Sequence, residues 1–281
     1  MNQLLLLSLF FLGASLGSFI GAKYYRDKKG NDLHGRSLCD GCGRKLKWYE
    51  NIPAISYIFL FFQNSAKCKD CQVQISKEYF LLETLSGLYL VLLFLFLQIN
   101  NFLGLTSTSL VTYFFIYATI SAFFTYFITL LSYEDYKDRE VSVKAFYQFL
   151  ILTLFFFTTK QFFFFALKEV YLLLVLVSPF FSISTFFKKS FGQADPLIIA
   201  AVLTFFTTIN ISAGLNTLLY TLWGGGVFSI VYLFVKYGGY KKGVPLPFIP
   251  FLWFGSLFLL ISNFYVLQVS DILLTWNFLV N

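Results

Sequence analysis

The sequence predicts an all-α, polytopic membrane protein of about eight transmembrane helices, with a cytoplasmic four-cysteine zinc-binding insertion between the first two. Three observations predict it. Hydrophobic residues make up 58% of the 281-residue chain and charged residues only 12%, with a mean hydropathy of +0.72, which leaves too few polar side chains to clothe a water-soluble surface. Apolar runs near the roughly 20 residues that cross a bilayer recur along the chain. Between the first two runs lies a polar, basic stretch that holds all four cysteines and the single histidine.

The first run, 3–22, is followed by its positive charges and then by further apolar spans, so it reads as a retained helix and not as a cleaved signal. Further spans fall at 79–98, 108–132, 144–159, 168–187, 196–211, 214–235 and 247–267, the fourth and sixth being short. The domain division is then 1–22 as the first transmembrane helix, 23–78 as the insertion and 79–281 as one membrane bundle without an internal repeat. Within the insertion, "NIPAISYIFLFF" is too short to cross and is expected on the membrane surface or packed under the insertion. Phe-rich patches such as "FFFTTKQFFFF" read as lipid-facing bulk.

Orientation follows from the basic residues, because positive loops stay cytoplasmic. With the N-terminus outside, 19 of the 21 lysines and arginines fall in cytoplasmic connections, eleven of them in 23–78; Lys160 and Lys168 are the exceptions. The net charge of +7 is therefore a topology signal, and nucleic acid is not an expected partner.

"CDGC" at Cys39 and Cys42 and "CKDC" at Cys68 and Cys71 are two C-x-x-C knuckles separated by 25 residues. Four thiolates in this arrangement suit a closed, tetrahedral, structural zinc site, with Gly41 and Gly43 easing the turn around the ion. Disulfides are the competing reading, disfavoured in a reducing compartment. His34 is then an ordinary loop residue.

Acids are scarce in the spans, so their places are informative. Glu134, Asp135, Asp138 and Glu140 cluster in "SYEDYKDREVS" at the cytoplasmic end of the third span, and Asp195 begins the sixth. Glu83 lies just inside the second span, where a carboxylate tends to be functional or paired. Two aspartates held close share one proton, one acting as base on a water and the other as acid. The competing reading is equally simple: Asp195 before Pro196 is an ordinary helix start, and a mixed-charge run at 134–140 is an ordinary solvated loop.

Taken together, "GRSLCDGCGRKLKWYENIPAISYIFL", "CKDCQVQIS", "YFLLETLSG" and "KKGVPLPFIPFLWFG" resemble the type IV prepilin peptidase family, membrane aspartic peptidases that are also N-methyltransferases. The resemblance implies Asp135 as the first catalytic aspartate, with Val141 and Ser142 at the sixth and seventh positions after it, where the family has an aliphatic residue and proline. It implies Asp195 as the second, closing "GQAD" in place of Gly-x-Gly-Asp, with Ala194 for the second glycine and Leu197 where the family carries lysine. The implied activity is removal of a basic leader from prepilins or pseudopilins at the cytoplasmic face of a bacterial inner membrane. Glu134, Asp138 and Glu140 would recruit that leader. The implied second activity, methylation of the new N-terminus from S-adenosylmethionine, would depend on the insertion and on Arg36, Trp48, Glu50, Asn51 and Glu83; no glycine-rich nucleotide loop is present. Two rivals stay open. A presenilin-like Gly-x-Gly-Asp protease would share the aspartates but not predict the cysteine insertion, and a non-catalytic zinc-knuckle scaffold would read Ser142, Ala194 and Leu197 as lost activity.

Overall fold

The computed structural model describes residues 3–30, 39, 42–45, 68, 70–73, 77–99, 110–164, 195–237 and 247–263. Among them every regular element is a helix, apart from an isolated β-bridge at Lys45. They are α1 (Gln3–Lys29), α2 (Lys77–Ile99), α3 (Leu110–Asp138), α4 (Val143–Phe164), α5 (Asp195–Ile209), α6 (Ile211–Tyr237) and α7 (Ile249–Asn263). Seven of the eight expected spans fall on these helices; 168–187 lies outside the described residues. Gln3–Lys28, Glu78–Ile99 and Phe115–Asp138 are long and apolar enough to cross a membrane. With the composition, they make this a membrane protein.

Two structural units can be distinguished, Met1–Val91 with Ala118–Thr129, and Leu92–Tyr117 with Leu130–Asn281. In the first, α1 continues seven residues past the expected end at 22 and stops at Gly30, whose φ of +65° an L side chain would resist. Its Gly13, Gly17 and Gly21 recur every fourth residue and so share one face, against which α2 lies antiparallel. A Cβ at Gly13 would stand 2.7 Å from the Ser86 carbonyl oxygen, and one at Gly17 would stand 2.6 Å from that of Leu82. From the other side, a Cβ at Gly87 would stand 2.8 Å from the Phe10 ring. Only glycine lets the backbones approach this closely, which is how helices gain dispersion contact where burial from water supplies none. Tyr25 stacked on Tyr79, ring centroids 5.6 Å apart, extends the seam.

In the second unit α4 packs on α5, and α5 on α6. Asn210 makes the α5–α6 connection in one residue: its N–H donates to the Phe206 carbonyl at 3.0 Å, while its Oδ1 accepts from the Ser212 N–H at 3.1 Å. The side chain thus caps the start of α6 as the backbone closes α5. Gly214 lies against Thr207, where a Cβ would overlap the threonine methyl. Along α6 and α7, which run antiparallel, Gly225 meets Phe251 and Gly255 meets Thr221, whereas Gly224 and Gly226 face open space.

Several buried hydroxyls are satisfied within their own helices. Thr204 donates to the Ala200 carbonyl at 2.6 Å, Thr217 to Ala213 at 2.8 Å and Thr221 to Thr217 at 2.7 Å. This back-bonding is the economical answer where no water can reach. The outer face of α6, with Trp223, Val227, Ile230 and Phe234 exposed, suits hydrocarbon better than water.

Candidate functional site

The cysteine cluster is built from two short loops with one plan. In the first, the Gly43 N–H donates to the Cys39 carbonyl at 2.9 Å and the Cys39 N–H to the Arg44 carbonyl at 2.8 Å. In the second, Gln72 donates to Cys68 at 3.0 Å and Cys68 to Val73 at 2.9 Å. Each loop turns through a left-handed residue four places after its first cysteine, Gly43 with φ +68° and Gln72 with φ +57°. The turn leaves both cysteines of a loop on one side.

All four Sγ atoms lie within 4.8 Å of one another, with Cys39 to Cys71 at 3.6 Å and Cys42 to Cys68 at 3.8 Å. These are not disulfides; all four thiols are free. Zinc bound at about 2.3 Å by four thiolates needs sulphur–sulphur edges of about 3.8 Å. The donor set fits such an ion. The electrostatics point the same way: the N–H groups of Cys71 and Asp70, with smaller help from neighbouring sulphurs, draw the Cys68 thiol down to about 6. Cys71, although lowered by the Val73 N–H, is pushed up to about 12 by burial and by the three other cysteines. Cys68 ionises readily and Cys71 resists, a barrier that a divalent cation removes. Arg44 reaches from the first loop to the second, its Nη2 3.9 Å from the Cys68 sulphur and its Nε 3.1 Å from Asp70 Oδ2.

Asp135 sits in the last turn of α3 and is only 6% exposed. Its Oδ2 accepts from the Ile249 N–H at 2.9 Å, across 114 residues of sequence. Ile249 opens α7, whose first N–H groups have no partner within the helix; Pro250, next, presents none. A carboxylate placed there is held both by the hydrogen bond and by the positive end of the helix. Ser132, one turn earlier on the same face of α3, donates to the Ile249 carbonyl at 3.4 Å. One residue of "FIPF" is therefore gripped at both its N–H and its C=O.

The turn after Asp135 is fixed from two directions. Arg139 adopts φ +61°, donates its N–H to the Asp135 carbonyl at 3.1 Å, and extends its side chain to the Tyr232 hydroxyl of α6 at 3.3 Å. Glu134 Oε2 accepts from the Ser142 N–H at 2.7 Å, and the Ser142 carbonyl takes the N–H of Phe146 at 3.0 Å at the start of α4. Ser142 stands where the resembled family carries proline. The backbone N–H that a proline would lack is satisfied here by Glu134, so one acid of the cluster has a structural task.

Asp195 is the first residue of α5, half-buried, with Pro196 buried behind it. It lies in the same unit as Asp135. Glu83 is buried at 7% exposure on α2, on the stretch that meets Gly17 of α1. Arg36, Trp48, Glu50, Asn51, His34, Gly41, Gly192 and Ala194 lie outside the described residues. Sequence reasoning missed the Gly13/Gly17/Gly21 stripe, which a search for small residues every fourth position would have found. It also missed Arg44 and the Ile249 N–H, for which no local signal exists.

Residues 11–97 match the family described as the bacterial peptidase A24 N-terminal domain. Over 81 residues the chain is 42% identical to a prepilin leader peptidase/N-methyltransferase of Myxococcus xanthus, which covers 28% of this chain and 23% of that protein. A protein of the same description from Vibrio cholerae is 44% identical over 48 residues, 17% of each chain. A type 4 prepilin-like proteins leader peptide-processing enzyme of Escherichia coli is 39% identical over 57 residues, 20% of each chain. The matched stretches thus span about a quarter or less of the length of these relatives. No solved structure matches the chain significantly. Asp135 and Asp195 lie beyond the matched segment, whereas both cysteine knuckles fall inside it, so the likeness of this chain to the prepilin peptidases rests on its N-terminal third.

Proposed function

We propose that this protein is a membrane aspartic endopeptidase that removes the leader of type IV prepilins or pseudopilins, and that it also methylates the new N-terminus from S-adenosylmethionine. The observation that carries the proposal is the N-terminal match to prepilin leader peptidase/N-methyltransferases, joined to a buried aspartate at the end of α3 and a second at the head of α5. On this reading a water held by the aspartates attacks the scissile carbonyl carbon as one carboxylate takes its proton. The other gives a proton to the leaving amine as the carbon–nitrogen bond breaks. The Ile249 N–H fixes Oδ2 of Asp135, so Oδ1 is the oxygen assigned to proton transfer.

The insertion at 23–78 is read as the zinc-bearing part and 79–281 as the peptidase bundle of about eight transmembrane helices counted with α1. Cys39, Cys42, Cys68 and Cys71 would hold a structural ion, since four protein ligands leave no open position. Its chemistry is to fix the two loops. S-adenosylmethionine would be met by Arg36, Trp48, Glu50, Asn51 and the buried Glu83. The distribution of basic residues supports an active site at the cytoplasmic face of a bacterial inner membrane, where Glu134, Asp138 and Glu140 would attract a basic leader.

The test is to incubate the purified protein in lipid with a prepilin, with and without S-adenosylmethionine, and weigh the product's N-terminus. A shortened product, heavier by one methyl when the cofactor is present, is the expected result. An intact substrate defeats the peptidase reading in favour of a scaffold.

A further inference from the structure

We propose that Arg44 is a positioning residue for the metal centre, setting its affinity by bridging the two knuckles and offsetting the charge on the thiolates. The inference rests on the reading of the cysteine cluster as a metal site and concerns a side chain outside its four ligands. Arg44 belongs to the first loop, and its own carbonyl closes that loop by accepting the Cys39 N–H at 2.8 Å. Its guanidinium reaches the second: Nη2 lies 3.9 Å from Cys68 Sγ, and Nε lies 3.1 Å from Asp70 Oδ2. One residue therefore ties the backbone of one knuckle to the ligand and the acid of the other.

Four thiolates around a divalent cation carry a net charge of about −2, which is costly to hold in a part-buried site. Cys68, the most buried of the four, is the one that receives the guanidinium. A cation hydrogen-bonded to a thiolate disperses its charge and orients it. Partners of this kind commonly change metal affinity by about 10–100-fold. Asp70 is 58% exposed on its side chain, so its ion pair is screened; it serves to aim the guanidinium. Lysine keeps the charge but has no planar fork to reach sulphur and carboxylate together.

The test uses the full chain in lipid nanodiscs, comparing wild type with Arg44→Gln, Arg44→Lys and Asp70→Asn. Zinc affinity is read by competition with a chromogenic chelator, and cobalt-substituted protein reports the sulphur-to-metal charge-transfer band and the ligand-field bands of a tetrahedral site. Arg44→Gln should lose about 10–100-fold in zinc affinity and shift the charge-transfer band, while the ligand-field bands still show four thiolates. Arg44→Lys should recover part of the affinity, and Asp70→Asn should lose less than Arg44→Gln. Wild-type affinity and an unshifted band in Arg44→Gln would overturn the Arg44 assignment alone. A wild-type protein that takes up neither zinc nor cobalt would overturn the metal reading and this proposal with it. Should Arg44→Gln fail to fold, Arg44→Lys decides: an affinity and band equal to wild type contradict the assignment, and a partial loss supports it.

Discussion

The cysteine cluster and the Asp135 site are built in opposite ways. Each knuckle closes within six residues, with cysteine, left-handed turn and hydrogen bonds all drawn from one short stretch. Asp135 instead depends on Ile249, 114 positions along the chain, for the donor that fixes its carboxylate. The first gathers four sulphurs that could hold one ion, whereas the second is a single carboxylate whose Oδ2 is held by a distant backbone N–H and whose chemical role belongs to the proposed function. A locally built site survives where its motif survives; a site built at long range requires the bundle around it.

The largest expected effect separates the two tasks of Asp135. Asp135→Asn keeps an oxygen that can accept from the Ile249 N–H, so the α3–α7 contact should persist while leader cleavage falls by roughly 10²–10⁴-fold or more. Asp135→Ala should lose the same activity and also leave a buried N–H without a partner, at a cost of about 1–3 kcal/mol. Cleavage assays and thermal unfolding in detergent, run on both variants, distinguish the roles. An Asn variant that still cleaves removes Asp135 from the chemistry, and equal melting temperatures for Asn and Ala remove it from the grip on α7.

The next effect falls on the cluster. Cys39→Ser should release the ion and loosen both loops, read as zinc content of the pure protein before and after chelation. The pH dependence has a definite sign. Thiolates bind the ion and protons compete for them, so affinity rises with pH. Near neutrality Cys68, lowered to about 6, is ionised, while Cys71, raised to about 12, still carries its proton. Metal uptake by the apo protein at neutral pH must therefore release protons, measurable by calorimetry in buffers of different ionisation enthalpy. Uptake without proton release would contradict the four-thiolate assignment.

The same contrast explains what the sequence made legible. C-x-x-C spacing encodes ligand geometry directly, so four ligands and the turn at Gly43 could be read from a few adjacent letters. Apolar runs encode helices, and six of the seven described helices begin within two residues of their expected starts, α6 three residues early. The Asp135 carboxylate was legible as an oddity, a charge at the end of an apolar run, but its partner was not. A backbone N–H belongs to every residue and leaves no trace in sequence; only the fold selects Ile249. Ser142 was likewise visible only as a departure from proline until Glu134 was seen to accept its N–H.

Glu134 gives the third prediction, smaller because the bond is exposed. Glu134→Ala should cost about 0.5–1.5 kcal/mol by orphaning the Ser142 N–H at the start of α4. Ser142→Pro removes that N–H, so in its background the same substitution should cost almost nothing. A double-mutant cycle on unfolding free energy reads the coupling directly. Simple additivity would show that Glu134 does not hold this turn, and that Asp135 is set without its help.

The smallest effects test whether the two knuckles are one design used twice. Gly43 and Gln72 occupy equivalent places with nearly equal positive φ, yet only one is glycine. Apart from its chain neighbours, no atom of the described residues lies within 4 Å of where a Cβ at Gly43 would stand, so the backbone penalty dominates there. Gly43→Ala should therefore weaken its loop by about 1 kcal/mol. Gln72→Gly should relieve the same strain and gain less than about 1 kcal/mol, because glycine loses more freedom on ordering. The rate of zinc release to excess chelator reports both, faster for the first and slower for the second. The sharper test is the exchange, Gly43→Gln with Gln72→Gly. If the loops are equivalent, strain is moved from one knuckle to the other and zinc release returns to the wild-type rate. If the first knuckle needs glycine for a further reason, such as room for the neighbouring Arg44 to cross, the exchange stays fast and the equivalence is confined to the backbone.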